Sequence, residues 1–199
     1  MRLEIRFSNR PLESLLCPAV VILTFSDPDL QKGMPSGIYD RMRGFWPSLE
    51  EADFWSGARG ETLLLASEGL ISADKILLKG LGESTAFDAI NLTDRVGEVG
   101  AALDGIGVRE FGISIPTAAD SAEAYASQLE LAARHLVEPF LENHQDDAHF
   151  KLKIVFSLGT FPLAMLTPVI LRLRGHFASI KGLFIGEDWE SGMAEVGGA

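Results

Sequence analysis

Hydrophobic and polar residues follow one another along the chain in patterns that predict seven β-strands. At the start, Leu3, Ile5 and Phe7 alternate with charged residues, as in a half-buried edge strand. The next run, 19–25 (AVVILTF), is continuously apolar and β-branched, which is typical of a strand covered on both faces. Five further strands are predicted at 61–66, 75–79, 110–115, 151–158 and 180–185.

Between these strands, apolar residues recur at helical spacing. Short helices are predicted at 38–43 and 48–54, and longer ones at 87–103, 122–141 and 164–178. Pro139 removes a backbone donor, so we expect it to kink or end the longest helix. Strands that alternate with helices indicate an α/β fold, here a three-layer α/β/α sandwich with a mixed, largely parallel sheet.

Composition restricts the class of protein further. The chain has 199 residues, enough for one domain, and 47% of them are hydrophobic. No signal peptide precedes the first strand, and the most apolar stretch, 163–173, is too short to span a bilayer. One cysteine, Cys17, excludes an internal disulfide and fits a reducing compartment. We therefore expect a cytoplasmic protein that binds no membrane.

The net charge of −11 lies mostly in one segment. Residues 61–150 contain 5 basic and 16 acidic residues, whereas the rest of the chain is nearly balanced. Nucleic-acid binding needs clustered lysine and arginine, which this distribution does not provide. We therefore expect no nucleic-acid partner.

Three stretches, in order, carry a family resemblance. They are the strand that begins Gly-Glu-Thr-Leu-Leu-Leu (60–65), the strand that ends Gly-Leu-Gly (75–82), and a Gly-Val-Arg-Glu link (107–110) into a strand that ends Ile-Pro. In this order and spacing they resemble the N-terminal domain of the leucyl aminopeptidase family, over about residues 1–158.

The resemblance implies a macro-domain-like sandwich that takes part in oligomer assembly. It also implies that peptidase chemistry belongs to a separate C-terminal domain, whose two-metal signature Asn-Thr-Asp-Ala-Glu-Gly-Arg does not occur here. We therefore expect no catalytic residue, no metal and no cofactor. We expect one domain over 1–186, with an extra helix and strand at 163–186, and a flexible tail over 187–199.

Macro domains bind ADP-ribose through two glycine-containing loops, and the resemblance indicates two corresponding loops here. One is 32–37, with Gly33, Ser36 and Gly37, and the other is 157–162, with Ser157, Gly159 and Thr160. Glycines let backbone N–H groups approach a diphosphate. The alternative is that both loops are ordinary turns, since the Asn-Ala-Ala-Asn motif and glycine triplet of macro domains are missing.

Three other motifs have both a functional and a structural interpretation. The Gly-Leu-Gly segment resembles a phosphate loop but also fits a plain strand-to-helix turn. His144 and His149 flank two aspartates, which are ligand types for zinc or nickel, although such residues are common in surface loops. Cys17 has no histidine or aspartate beside it, which favours an idle thiol.

The predicted helix at 164–178 has an apolar face that either packs in the core or forms an oligomer interface. Trp46, Phe54 and Trp55 add aromatic residues in loops, a composition enriched at interfaces. The leading hypothesis is therefore a non-catalytic binding or assembly module, either a homo-oligomer or docked on an aminopeptidase-like protein. The alternatives are a binder of ADP-ribose or a related nucleotide, and an accessory subunit of an aminopeptidase.

Overall fold

The computed structural model describes residues 1–27, 34–51, 53–116, 121–159 and 161–188. Within these residues, seven strands and five α-helices follow one another. The strands are β1 (Arg2–Ser8), β2 (Ala19–Thr24), β3 (Thr62–Ala66), β4 (Lys75–Gly80), β5 (Glu110–Ser114), β6 (Lys151–Ser157) and β7 (Gly182–Asp188). The helices are α1 (Ser36–Met42), α2 (Trp46–Glu51), α3 (Ala89–Gly105), α4 (Ala122–His144) and α5 (Leu166–His176).

All seven strands form one sheet in the order β3-β4-β2-β5-β6-β1-β7. β3 pairs antiparallel with β4, and every other pairing is parallel. The parallel strands therefore end at one common edge, which we call the carboxyl edge. The predicted α/β sandwich with a mixed, largely parallel sheet is confirmed.

The core lies in two clusters, one on each face of the sheet. The larger cluster packs α3, α4 and α5 against every strand of the sheet except β3. The smaller cluster packs α1 and α2 mainly against β2 and β4. β2 lies between the two clusters, and its residues are all buried, as its continuous apolar sequence predicts.

The alternating strand β1 is not at the sheet edge as predicted, because β7 pairs with its outer side. Its inward residues Leu3, Ile5 and Phe7 are fully buried, and the polar residues between them face the opposite side. The smaller cluster contains no residue of β1 or β7. The alternation of apolar and polar residues in β1 therefore reflects one uncovered face of an inner strand, and not a position at the edge of the sheet.

The longest helix, α4, does not end at Pro139 as one of our predictions allowed. It continues to His144, because Phe140 is fully buried beyond the proline and Nε2 of His144 lies 2.7 Å from Oδ1 of Asp104. Helices α3 and α4 pack closely at Gly100, where an added Cβ would lie 2.4 Å from the Leu136 carbonyl oxygen. Glycine at this position thus sets the distance between the two helices.

The predicted helix and strand at 163–186 correspond to α5 and β7, and β7 is the outermost strand of the sheet, beside β1. β7 extends to Asp188, two residues into the segment that we predicted as a tail, and residues 189–199 lie outside the described chain. The apolar face of α5 packs in the core. Trp46 and Trp55 are each 3% exposed, so they are core residues and not interface residues, whereas Phe54 is 67% exposed.

Within the described chain, no helix combines the length and the apolar content that crossing a membrane would require.

Candidate functional site

A cavity of about 370 Å³ lies at the carboxyl edge of the sheet. Its walls come from the segment after β1, the start of α1, the end of β5, the end of β6 and one residue of α4. We call it the carboxyl-edge cavity. The predicted ligand-binding residues that the structure describes, Ser36, Gly37, Ser157 and Gly159, all line it.

The first predicted loop leads directly into α1. Pro35 precedes the helix, and its carbonyl accepts hydrogen bonds from the backbone N–H groups of Ile38 and Tyr39. Ser36 and Gly37 form the first turn and face the cavity. Gly33 and the neighbouring Lys32 lie outside the described residues.

The second predicted loop follows β6. The Ser157 hydroxyl donates to the Arg10 carbonyl over 2.8 Å, and the Leu158 N–H donates to the Ser8 carbonyl over 2.8 Å. Gly159 has a φ of 57°, in the left-handed region where glycine has no steric penalty. The loop is thus attached to the end of β1, and Thr160 lies outside the described residues.

Glu13 and Tyr125 are among the residues of the cavity wall that sequence reasoning missed. Glu13 lies in a short 3-10 helix, Leu12–Ser14, that follows β1. The Tyr125 hydroxyl donates to the Ile115 carbonyl over 3.2 Å, and burial raises the pKa of this side chain well above its usual value. Glu13 comes close to the second loop because β1 ends beside β6, which the strand order shows and the local sequence does not. Tyr125 lies on the apolar face of α4, where its spacing is typical of a core residue.

The Gly-Leu-Gly segment forms a structural turn. A Cβ at Gly80 would lie 2.1 Å from the Ala58 carbonyl oxygen, and Gly82 has a φ of 80°. The Gly82 N–H donates to the Gly57 carbonyl, and the Gly82 carbonyl accepts from Ser26. Both glycines are therefore required by close backbone packing, and this segment does not line the carboxyl-edge cavity.

The Gly-Glu-Thr motif has a structural role beside that turn. One oxygen of the Glu61 carboxylate accepts hydrogen bonds from the Ser56 N–H (3.0 Å), the Ser56 hydroxyl (2.9 Å) and the Ala58 N–H (3.1 Å). Glu61 thus fixes the loop that packs on Gly80. The family motif in this chain stabilises the entry into β3.

The histidines of 144–149 do not form a ligand cluster. His144 belongs to α4, contacts Asp104 and stacks on Phe150 with ring centroids 3.9 Å apart. Asp147 accepts a 2.8 Å hydrogen bond from the His149 backbone N–H, which lowers the pKa of its carboxyl. Among the described residues, no three histidine, cysteine, aspartate or glutamate side chains gather as a metal site would require.

Cys17 lies between the 3-10 helix and β2. Its thiol donates to the Ala19 carbonyl over 3.0 Å, and burial raises its pKa. A thiol with a raised pKa is a poor nucleophile near neutral pH. The local geometry therefore favours the idle-thiol interpretation.

The strand order, the helix layers and a cavity at the carboxyl edge define a macro-domain-like α/β/α sandwich. The cytosol aminopeptidase family, N-terminal domain, matches residues 22–138, so the chain belongs to this family through that domain. The match confirms the resemblance in the strands that carry the Gly-Glu-Thr and Gly-Leu-Gly motifs.

Individual proteins agree with this assignment. A probable cytosol aminopeptidase of Alcanivorax borkumensis is 30% identical over 86 residues, which are 43% of this chain and 17% of that protein. A mutant of tomato leucine aminopeptidase is 14% identical with a TM-score of 0.67, over 89% of this chain and 36% of that one. A Trypanosoma brucei macrodomain, solved in complex with ADP, is 16% identical with a TM-score of 0.57, over 84% and 67%. This chain thus spans well under half of the aminopeptidases that it matches.

Proposed function

We propose that the chain is a non-catalytic binding module whose small-molecule ligand occupies the carboxyl-edge cavity. The observation that supports this most is the meeting of two loops, 120 residues apart, at Ser36 and Gly37 and at Ser157 and Gly159. The cavity volume of about 370 Å³ falls in the range of small-molecule sites, about 300–1,000 Å³. Ligands of open α/β sheets also bind at the carboxyl ends of the strands.

The proposal assigns no catalytic residue and no metal. The family match concerns the N-terminal domain, whereas the resemblance places two-metal peptidase chemistry in a different domain. Peptidase assays on N-terminal leucine substrates, with added manganese or zinc, test this part. Peptidase activity that co-elutes with the protein on a second chromatography column would contradict the absence of a catalytic site.

Calorimetry with ADP-ribose, ADP, adenosine and glucosamine tests the binding proposal. Ser36 is exposed at the mouth of the carboxyl-edge cavity, so Ser36→Trp fills the cavity without changing the core. Ser179→Trp is the matched control, because Ser179 lines a second cavity of about 410 Å³ at the amino ends of the strands. We expect at least one compound to bind, with binding lost in Ser36→Trp only. Binding by none, or equal loss in both variants, would contradict the proposal.

ADP-ribose or a related nucleotide is the candidate ligand that the macro-domain likeness suggests. It would enter between the two loops, where Gly37 and Gly159 leave the backbone accessible. Heat with ADP-ribose and ADP, but not with adenosine, would support this alternative. No heat with ADP-ribose at millimolar concentration would remove it.

Assembly is a second candidate function, and exposed apolar side chains on α5 and on the outer strand β7 favour it. Leu171 is 59% exposed and Phe184 is 48% exposed, and a shallow groove of about 310 Å³ lies along Leu171 and Gly186. The partner would be a second copy of this chain, or an aminopeptidase-like protein. Such apolar exposure is a feature of association surfaces.

Light scattering coupled to size-exclusion chromatography tests the assembly candidate. We expect a dimer or larger species that Leu171→Asp dissociates. Ile90→Asp is the control, because Ile90 is 70% exposed on α3, away from α5. A monomer at every concentration, with no co-elution with an intact leucyl aminopeptidase, would contradict assembly.

We also propose a cytoplasmic location for either candidate function, and cell fractionation tests it.

A further inference from the structure

Glu13 sits in the wall of the carboxyl-edge cavity and touches the first glycine loop. A Cβ added at Gly37 would lie only 1.7 Å from Oε1 of Glu13. The carboxylate therefore fills the space that any other side chain at position 37 would take. The two residues are a matched pair although 24 positions separate them.

The second oxygen of this carboxylate, Oε2, is buried and accepts no hydrogen bond from the described residues. A buried acceptor without a partner is unfavourable, more so when it belongs to a charged group. With one oxygen buried, the carboxylate is poorly solvated, so a ligand that brings a donor or a positive charge to the cavity side of Glu13 would offset part of that penalty.

Two hydroxyls of the described wall are also acceptors. The hydroxyls of Ser157 and Tyr125 both donate to backbone carbonyls, so their oxygens act as acceptors toward a ligand. Glu13 carries the only charge among the described residues that line the cavity. These three side chains match a ligand that donates hydrogen bonds, and the charge of Glu13 opposes a negatively charged one.

We propose that the carboxyl-edge cavity binds a small hydroxylated molecule that presents an amino or ammonium group to the Glu13 carboxylate, in preference to its phosphorylated counterpart. This inference rests on the proposed binding function and adds the class of ligand. Glu13 is then the residue that determines specificity, and Gly37 keeps it in place. The preference is opposite to that expected for a nucleoside diphosphate site.

Two matched pairs of probes test the preference, namely glucosamine with glucosamine 6-phosphate and adenosine with ADP. Calorimetry on the full chain should give tighter binding for the member without phosphate in each pair. Glu13→Gln should weaken binding of that member about tenfold, the factor that one hydrogen bond to a charged group corresponds to. Glu142→Gln, on the exposed end of α4, should leave the affinity unchanged.

Gly37→Ala gives an independent measurement, because the added methyl group displaces the carboxylate. It should weaken binding of the unphosphorylated probes as Glu13→Gln does. Tighter binding of the phosphorylated members, or unchanged affinity in Glu13→Gln, would overturn the inference. If ADP binds more tightly than adenosine and Ser36→Trp abolishes that binding, the binding module stands and this inference fails. If no probe binds at all, both fail.

Discussion

The Lys79 ammonium lies 2.5 Å from the Glu98 carboxylate and joins β4 to α3. The lysine side chain is 3% exposed, and its ammonium also donates to the Gly60 carbonyl and the Thr62 hydroxyl, each over 2.8 Å. A buried lysine is tolerated only when its charge is paired and its donors are used. These contacts hold the antiparallel strand β3 and the first family motif against the helix layer.

Removal of the Glu98 charge should destabilise the domain. Glu98→Gln leaves the Lys79 ammonium buried with neutral partners only, which should lower the free energy of unfolding by about 1–3 kcal/mol. Urea unfolding measures the change. Lys79→Met combined with Glu98→Gln should recover part of the loss, because the buried lysine charge is then removed and only Arg95 still lacks its Glu98 partner. A loss in Glu98→Gln no larger than in the control Glu142→Gln would contradict this account.

Gly100 should tolerate no side chain. The methyl group of Gly100→Ala would meet the Leu136 carbonyl and force α3 and α4 apart, at a cost of roughly 1–3 kcal/mol. Gly105→Ala, at the end of the same helix, has no atom within 4 Å of the added Cβ. The control should be neutral or stabilising, by up to about 1 kcal/mol. Thermal unfolding of the two variants compares them directly, and equal melting temperatures would refute the close packing.

Tyr125 should make stability depend on alkaline pH. Burial raises its pKa in the folded state, whereas a tyrosine in the unfolded chain ionises at about pH 10. The contribution of the protonated Tyr125 side chain to the stability of the folded state is complete below that pH. It is lost as the pH rises further, because only the unfolded chain then releases the proton. Urea unfolding between neutral and strongly alkaline pH measures this slope.

Tyr125→Phe is the informative variant for this pH dependence. It should be less stable at neutral pH by about 1 kcal/mol, because the Ile115 carbonyl loses its donor. It should also show a smaller decline of stability at alkaline pH. The same decline in both proteins would show that other groups cause it.

Cys17 should react slowly with disulfide reagents in the folded protein. Burial raises its pKa, so less thiolate is present at mildly alkaline pH than in the unfolded chain. The rate of colour release with an aromatic disulfide, measured with and without urea, checks this. A native rate equal to the unfolded rate would indicate an accessible, unperturbed thiol.

Much of the fold was predictable because hydrophobic pattern and burial agree closely. The continuous apolar run of β2 identified an inner strand, and the alternation in β1 identified one buried face. That alternation could not place β1 within the sheet, because an inner strand with one uncovered face has the same pattern as an edge strand. Only the pairing with β7 resolves the two cases.

Only the part of the candidate site that lies in the two glycine-containing loops was predicted. Ser36, Gly37, Ser157 and Gly159 were named because the resemblance to macro domains implies two such loops, and the parallel strands bring these four residues to one cavity. Glu13 was missed because its role depends on a contact with Gly37 that neither local sequence indicates. Trp46 and Trp55 were misread as interface residues, since aromatic residues in loops carry no sign of whether the loop folds onto the core.

The claim that the carboxyl-edge cavity is the ligand site is tested most directly by NMR titration of isotope-labelled protein with adenosine, glucosamine and ADP-ribose. The account predicts saturable shifts of the backbone amides of Ser36, Gly37, Ser157 and Gly159 with at least one of these compounds. Saturable shifts confined to the amides around Ser179, or no saturable shift with any compound, would contradict it.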